Sequence, residues 1–212
     1  MNTCQVYRSI AIFDLETDKL YHIYTHTNGN ENIFRNDENY IYFLKRYQEF
    51  ISPVATTYAW CLMPNHLHLL VKVKSEKEVR TIFSTKIKES FQHQPELLSK
   101  NIILQFSHLF NAYSKAYNKF YNRRGSLFMR AFKRKEIAND SYFTSVILYI
   151  HRNPLHHGFV TNLADWKWSS YTEFLMSTLK PDQQYVINWF GNKEEFVKLH
   201  QQTQQPTHLH YD

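Results

Sequence analysis

Tyr58-Ala59-Trp60-Cys61-Leu62-Met63-Pro64-Asn65-His66-Leu67-His68-Leu69-Leu70-Val71 decides the fold. Two apolar runs flank Met63-Pro64-Asn65, which is a turn: proline presets φ at the first central position and asparagine tolerates the next. The stretch therefore reads as a β-hairpin. Beyond the turn, side chains alternate at period 2. His66, His68 and Leu70 share one face, and Leu67, Leu69, Val71 and Val73 share the other. The second set is a core face. The first opens with two imidazoles one strand step apart. Such a pair can bite one divalent ion, and an added oxygen donor would admit Mg²⁺ or Mn²⁺. By itself a His-x-His pair is a weak signal, because two hydrogen-bonded histidines at a strand start give the same pattern.

Outward from the hairpin, the order of elements is strand, helix, strand, strand, helical region, strand, helix. Residues 6–13 and 20–25 read as β-rich, and a turn-rich stretch follows at 27–30. His22 and His26 lie here with no ligand spacing, and they read as surface or satisfied histidines. Asn36 or Asp37 can cap a helix to about residue 51, with Tyr40, Phe43, Leu44 and Tyr47 at helical spacing. Ser52-Pro53 stops it. After the hairpin, Ser75 and Glu78 form a capping-box pattern. Val79, Ile82, Phe83, Ile87 and Phe91 continue one helix face. A second helix carries Ile103, Phe106, Phe110, Tyr113, Tyr117 and Phe120, with Gly125 as its stop. Residues 126–137 supply the fourth strand of the sheet. Asp140 can cap a last helix ending near Arg152, before Pro154. This order fits an α+β split βαβ arrangement: an antiparallel sheet with helices on one face.

The length of 212 residues suits one domain over 1–172 with a C-terminal extension, 173–212, ending in a flexible Gln/His-rich tail. His208 and His210 in that tail read as part of a frayed terminus. No apolar run approaches a membrane span. Met1-Asn2-Thr3-Cys4-Gln5 lacks the basic start and apolar middle of a signal peptide. Cys4 and Cys61 make no disulfide framework. The expectation is a reducing, cytoplasmic setting with no membrane partner.

Charge is concentrated in one segment. The net charge is +6, from 25 basic and 19 acidic residues. Lys115, Lys119, Arg123, Arg124, Arg130, Lys133, Arg134 and Lys135 fall in a run with no acidic residue, and removing those eight charges from +6 leaves −2 elsewhere. Tyr117, Phe120, Tyr121, Phe128 and Phe132 interleave it. Lys/Arg beside aromatics is the footprint of a nucleic-acid surface, with charge for phosphates and rings for bases. A solvated basic face without a ligand gives the same composition.

A metal on two histidines, a nearby oxygen donor, a basic surface and a tyrosine suit phosphodiester chemistry. The ion polarises a phosphate oxygen, and a tyrosine attacks phosphorus to form a covalent intermediate. Because the phosphotyrosine keeps the bond energy, a 3′-hydroxyl can reverse the step. Fifteen tyrosines compete for the role. Tyr113 and Tyr117 continue an apolar stripe and read as core. Tyr149 has an amide, Asn153, one turn away on the same helix face. The residue before a proline is biased out of the α region, which leaves the Asn153 side chain unplaced at this point.

Leu62-Met63-Pro64-Asn65-His66-Leu67-His68-Leu69-Leu70 resembles the His-hydrophobe-His motif of single-tyrosine HUH transposases. Arg124-Gly125-Ser126-Leu127-Phe128, Tyr149-Ile150-His151-Arg152-Asn153-Pro154-Leu155 and Trp168-Ser169-Ser170-Tyr171 resemble further elements, in the order of the REP-associated branch. The resemblance covers roughly residues 20–172. It implies a ferredoxin-like fold, Mg²⁺ or Mn²⁺ on His66, His68 and Asn153, and Tyr149 as nucleophile. It also implies cleavage of single-stranded DNA near a hairpin, leaving a 5′-phosphotyrosine. Arg123, Arg124, Arg130, Lys133, Arg134 and Lys135 would contact the DNA by their charge. Phe128 stands where the family usually has tryptophan, and it still offers a stacking face. A homodimer, as in related insertion-sequence enzymes, and a monomer both fit. Two other functions use the same residues: a non-catalytic nucleic-acid-binding protein on this scaffold, and a metal-dependent hydrolase of a small substrate.

Overall fold

The structure, a computed structural model, describes residues 15–84, 95–129 and 132–202. The strand expected over 6–13, the helix positions Ile87 and Phe91, Arg130, and the tail with His208 and His210 lie outside the described residues.

Four strands, β1 (Leu20–His26), β2 (Ala55–Leu62), β3 (His66–Val73) and β4 (Lys133–Glu136), form one sheet in the order β2-β3-β1-β4. Every neighbouring pair is antiparallel. β1 and β2 are therefore parallel with β3 between them, and β3 and β4 are parallel with β1 between them. These are two interlocked split βαβ units, the ferredoxin-like arrangement. The hairpin closes as expected, with the Met63 amide donating to the His66 carbonyl at 2.8 Å. Tyr58 is the extra residue at a bulge in β2.

One face of the sheet packs on α1 (Asp37–Phe50) and α3 (Pro95–Phe120). Tyr21 and Ile23 of β1 join Leu67, Leu69, Val71 and Val73 of β3 there, against Phe43, Ile102, Phe106 and Tyr113. Each such side chain contributes roughly 1.5–3 kcal/mol by leaving water. The Asn36 side chain caps α1 by accepting from the Asn39 amide. Ser75 and Glu78 form the capping box of α2 (Glu76–Phe83). α3 ends five residues before Gly125. Asn122 takes a positive φ of 49°, and Gly125 takes φ 88° inside the loop that follows. Phe120, expected on the apolar side, is 69% exposed.

The opposite face packs on α4 (Asp140–His156) and, behind it, α5 (Tyr171–Phe174), α6 (Pro181–Trp189) and α7 (Lys193–Gln201). The helices between the strands, α1, α2 and α3, thus lie on one face as expected, and α4 with the C-terminal helices adds a second layer on the other. Leu70 of β3 and Ala59 and Cys61 of β2 meet Val146 and Ile150 of α4 in this second core. Asn139, rather than Asp140, caps α4, with its side chain accepting from the Tyr142 amide at 2.9 Å. The helix also runs through Pro154 to His156. Proline loses one helical hydrogen bond, and here the loss falls in the last turn, where the cost is small.

Candidate active site

β3 sets the site because it is central and two-faced. Its Leu67 and Leu69 face one core, which forces His66 and His68 onto the α4 side. β1 adds a second row. His26 lies opposite His66, Tyr24 opposite His68, and His22 opposite Leu70. Opposed residues of an antiparallel pair share a face. β4 adds Lys133 opposite Tyr24 and Lys135 opposite His22. The α4 side of the sheet thus carries histidines bordered by lysines.

α4 brings Tyr149 and Asn153 onto this row. Asn153 Oδ1 lies 2.8 Å from His66 Nε2. The Tyr149 ring sits edge-on to His68, with centroids 5.3 Å apart. His66, His68 and Asn153 are buried, and Tyr149 is 8% exposed. Because α4 stays helical through Asn153, Tyr149 and Asn153 keep the i,i+4 relation and face the same point. The structure thus brings together all four residues expected in the site. Tyr113 is elsewhere. It is buried under α1, its hydroxyl donates to the Ile33 carbonyl, and burial pushes its pKa up.

Two partners of the histidines were missed in the sequence. Asn65 Oδ1 lies 2.8 Å from His66 Nδ1 and Asn153 Oδ1 lies 2.8 Å from its Nε2, so an amide oxygen stands ready to accept from either ring nitrogen. His22 Nε2 lies 3.1 Å from His68 Nδ1. His22 was expected at the surface or satisfied; it is 0% exposed. The signal was available: Tyr21, Ile23 and Thr25 alternate with His22, Tyr24 and His26, so a core on one side places the histidines on the other. Burial, with Lys135 nearby, lowers the His22 pKa to about 3. Burial, then the neighbouring imidazoles, lowers that of His68 well below the usual range. Both rings stay neutral, the form that ligates metals.

The donor set fits a divalent ion. His68 Nε2 is buried and has no hydrogen-bond partner among the described residues. Two imidazole nitrogens and an amide oxygen are donors that Mg²⁺ or Mn²⁺ accepts, with positions left for substrate. Among the described residues no three His, Cys, Asp or Glu side chains form a metal-holding group, so the set depends on the amide.

The basic residues divide by environment. Lys133 and Lys135 are exposed beside the site, over the rings of Tyr24 at 5.5 Å and Tyr142 at 4.7 Å. Arg134 points to the other face and stacks on Phe132 at 5.3 Å. Arg124 is exposed in the loop after α3. Arg123 is committed to the fold: it pairs with Glu31 at 2.8 Å and donates to the carbonyls of Arg124, Gly125 and Ser126. Phe128 is buried against Phe110 and Tyr113, so its ring serves the core, not base stacking. Trp168-Ser169-Ser170-Tyr171 is also structural. The Trp168 carbonyl accepts from the Leu62 amide, and Ser170 pairs with Trp60, which closes part of the outer edge of β2.

No family model matches the chain. A curated protein of Haemophilus influenzae, described as a REP-associated tyrosine transposase, is 27% identical over 142 residues, covering 67% of this chain and 70% of that protein. The chain is similar to the REP-associated tyrosine transposases. The resemblance in its motifs is thereby borne out. A solved structure of a REP-associated tyrosine transposase bound to a REP hairpin matches with a TM-score of 0.53 at 15% identity, covering 86% of this chain and 90% of that one. That second likeness concerns the fold: an α+β chain with a four-stranded antiparallel sheet and a C-terminal helical extension.

Proposed function

We propose that the protein is a transposase that cleaves and rejoins single-stranded DNA at hairpin-associated sites, using Tyr149 as nucleophile and a divalent metal. One observation carries this reading. A helix from the C-terminal half brings a tyrosine and an amide onto two buried histidines of the central strand, with Asn153 2.8 Å from His66 and Tyr149 in ring contact with His68. A fold alone needs none of these polar groups in a core.

His66 Nε2, His68 Nε2 and Asn153 Oδ1 would hold Mg²⁺ or Mn²⁺. Such an ion, when bound, offsets charge on the non-bridging phosphate oxygens. Tyr149 gives up its phenolic proton to solvent, and its oxygen attacks phosphorus. The bond from phosphorus to the 3′ oxygen breaks, and that oxygen leaves, taking up a proton from solvent to become a 3′-hydroxyl. The 5′-phosphate stays on Tyr149 until another 3′-hydroxyl attacks. Asn65 holds the His66 ring through Nδ1, and Asn153, one turn after Tyr149, brings its amide oxygen to the Nε2 side. Lys133 and Lys135, exposed along β4, line the approach for the phosphate backbone, and Arg124 extends the basic surface. Arg134 adds charge at the far side of β4. A DNA substrate is in keeping with the cytoplasmic setting expected from the sequence. Among the described residues no helix is long and apolar enough to cross a membrane.

A gel assay for covalent adducts tests this. Labelled single-stranded hairpin oligonucleotides from the DNA flanking the gene are incubated with protein and Mn²⁺. Wild type and Tyr113→Phe should give an adduct; Tyr149→Phe, or wild type with chelator, should give none. Tight DNA binding with no adduct from any of them would favour a non-catalytic binding protein on the same scaffold.

A further inference from the structure

We infer that His22 is a positioning residue for the metal site: it accepts the Nδ1 proton of His68 and so holds the His68 Nε2 lone pair ready for the ion. The inference rests on the reading of His66, His68 and Asn153 as metal donors. It assigns a role to a residue of β1 that the motif does not contain.

A neutral imidazole carries one proton and one lone pair. A metal on Nε2 forces the proton onto Nδ1, and that N–H then needs an acceptor. His66 has one within its own turn, because Asn65 Oδ1 stands 2.8 Å from its Nδ1. His68 lies two residues further along the strand, beyond the reach of the turn. Its Nδ1 faces β1, and the atom there is His22 Nε2 at 3.1 Å. The two rings stack at 22° with centroids 5.2 Å apart. Both residues are 0% exposed, so no bulk water replaces the contact.

The other atoms around His68 agree. Its Nε2 has no hydrogen-bond partner among the described residues. A lone pair there is what a cation needs. The register of β1 explains why His22 reaches His68. It lies opposite Leu70, one strand step diagonally from His68, within reach of an imidazole. The two histidines of the motif thus have one orienting partner each, an amide on the turn and an imidazole on the neighbouring strand.

The test uses the full-length protein with His22→Phe, which keeps a flat ring but has no acceptor, and His22→Gln, whose amide oxygen can accept. His22→Met is a second variant without the ring, used if His22→Phe does not fold. Mn²⁺ affinity is measured by calorimetry and by the electron-spin signal of free Mn²⁺. Wild type and His22→Gln should bind within a few-fold of each other, and the folded apolar variant roughly 10–100-fold more weakly. In the Mg²⁺-loaded wild type, long-range ¹⁵N–¹H spectra should show the His68 proton on Nδ1. An apolar variant that binds Mn²⁺ as tightly as wild type, or a His68 proton on Nε2 in the loaded protein, overturns the inference and leaves the metal site standing. A wild type that binds no Mn²⁺ overturns the metal reading itself, and the inference with it.

Discussion

The protein buries two pairs of touching histidines, and they differ in how the ring nitrogens are met. His22 and His68 meet at 3.1 Å on the sheet, and His151 and His200 meet at 2.8 Å between α4 and α7. In the second pair every ring nitrogen has a partner. His151 Nε2 lies 2.7 Å from Ser170 Oγ, and His200 Nδ1 donates to the Phe196 carbonyl at 2.7 Å. Arg152 adds two bonds to the carbonyls of Leu199 and His200. This pair is a clamp that ties the C-terminal helices to α4 and, through Ser170, to β2. In the first pair His68 Nε2 has no partner among the described residues. A satisfied buried imidazole stabilises a fold; one held neutral with a nitrogen to spare is built for a ligand. α4 carries both arrangements on opposite faces, Tyr149 and Asn153 toward the sheet and His151 and Arg152 toward α7.

The sharpest way to break this comparison is to disable one side alone. Tyr149→Phe keeps the ring contact with His68 and removes the nucleophile. Adduct formation in a gel should fall by about 10³-fold or more, while the melting temperature moves by only a few degrees. A matched loss of both would make Tyr149 a core residue.

His200→Ala should do the opposite. It leaves His151 Nδ1 buried without a partner and opens a cavity, so urea unfolding should show a loss of about 2–4 kcal/mol. Mn²⁺ affinity, measured at a temperature where the variant is folded, should stay within a few-fold of wild type. If it collapses, the clamp and the site are one unit.

Acid should also expose the clamp. Burial lowers the His200 pKa to about 3; the bond to Phe196 opposes that shift and Arg152 adds to it. His151 and Arg152 of α4 and Tyr171 of α5 face this ring. The folded pKa is below the unfolded value near 6.5, so the unfolded state binds the proton first. The contribution of His200 is complete above about pH 6.5 and is lost as pH falls toward 3. Between pH 7 and pH 5 this amounts to up to about 2 kcal/mol. Unfolding at the two pH values should show a shallower slope for His200→Phe than for wild type; equal slopes would remove His200 from the pH response.

The smallest effects belong to the surface beside the site. Lys133→Ala and Lys135→Ala should each weaken DNA binding a few-fold and lower the salt-dependence slope by about one, measured by titration at several salt concentrations. Arg123→Ala should instead cost stability, because its guanidinium holds Glu31 and the loop after α3. DNA binding lost with Arg123→Ala while the fold stays intact would return that residue to the interface.

Much of this was legible in the sequence because β3 obeys a strict period of 2. Leu67, Leu69, Val71 and Val73 had to face a core, so His66 and His68 had to face away from it. The i,i+4 spacing likewise put Tyr149 and Asn153 together. What was not legible depended on long-range neighbours. His22 looked ordinary until β1 was set beside β3. Arg123 looked like a phosphate contact until Glu31, 92 residues away, was placed against it. Phe128 looked like a stacking ring until α3 covered it. Polarity toward the C-terminus likewise hid α6 and α7, whose Val186, Ile187 and Phe196 complete the second core.

One measurement tests the central claim most directly. A covalent protein–DNA adduct formed with Mn²⁺ is digested with nuclease and protease, and mass spectrometry locates the residue that carries the 5′-nucleotide. The expected result is a single modified peptide with the nucleotide on Tyr149. A nucleotide on Tyr113 or any other tyrosine would contradict the assignment of α4 as the catalytic helix.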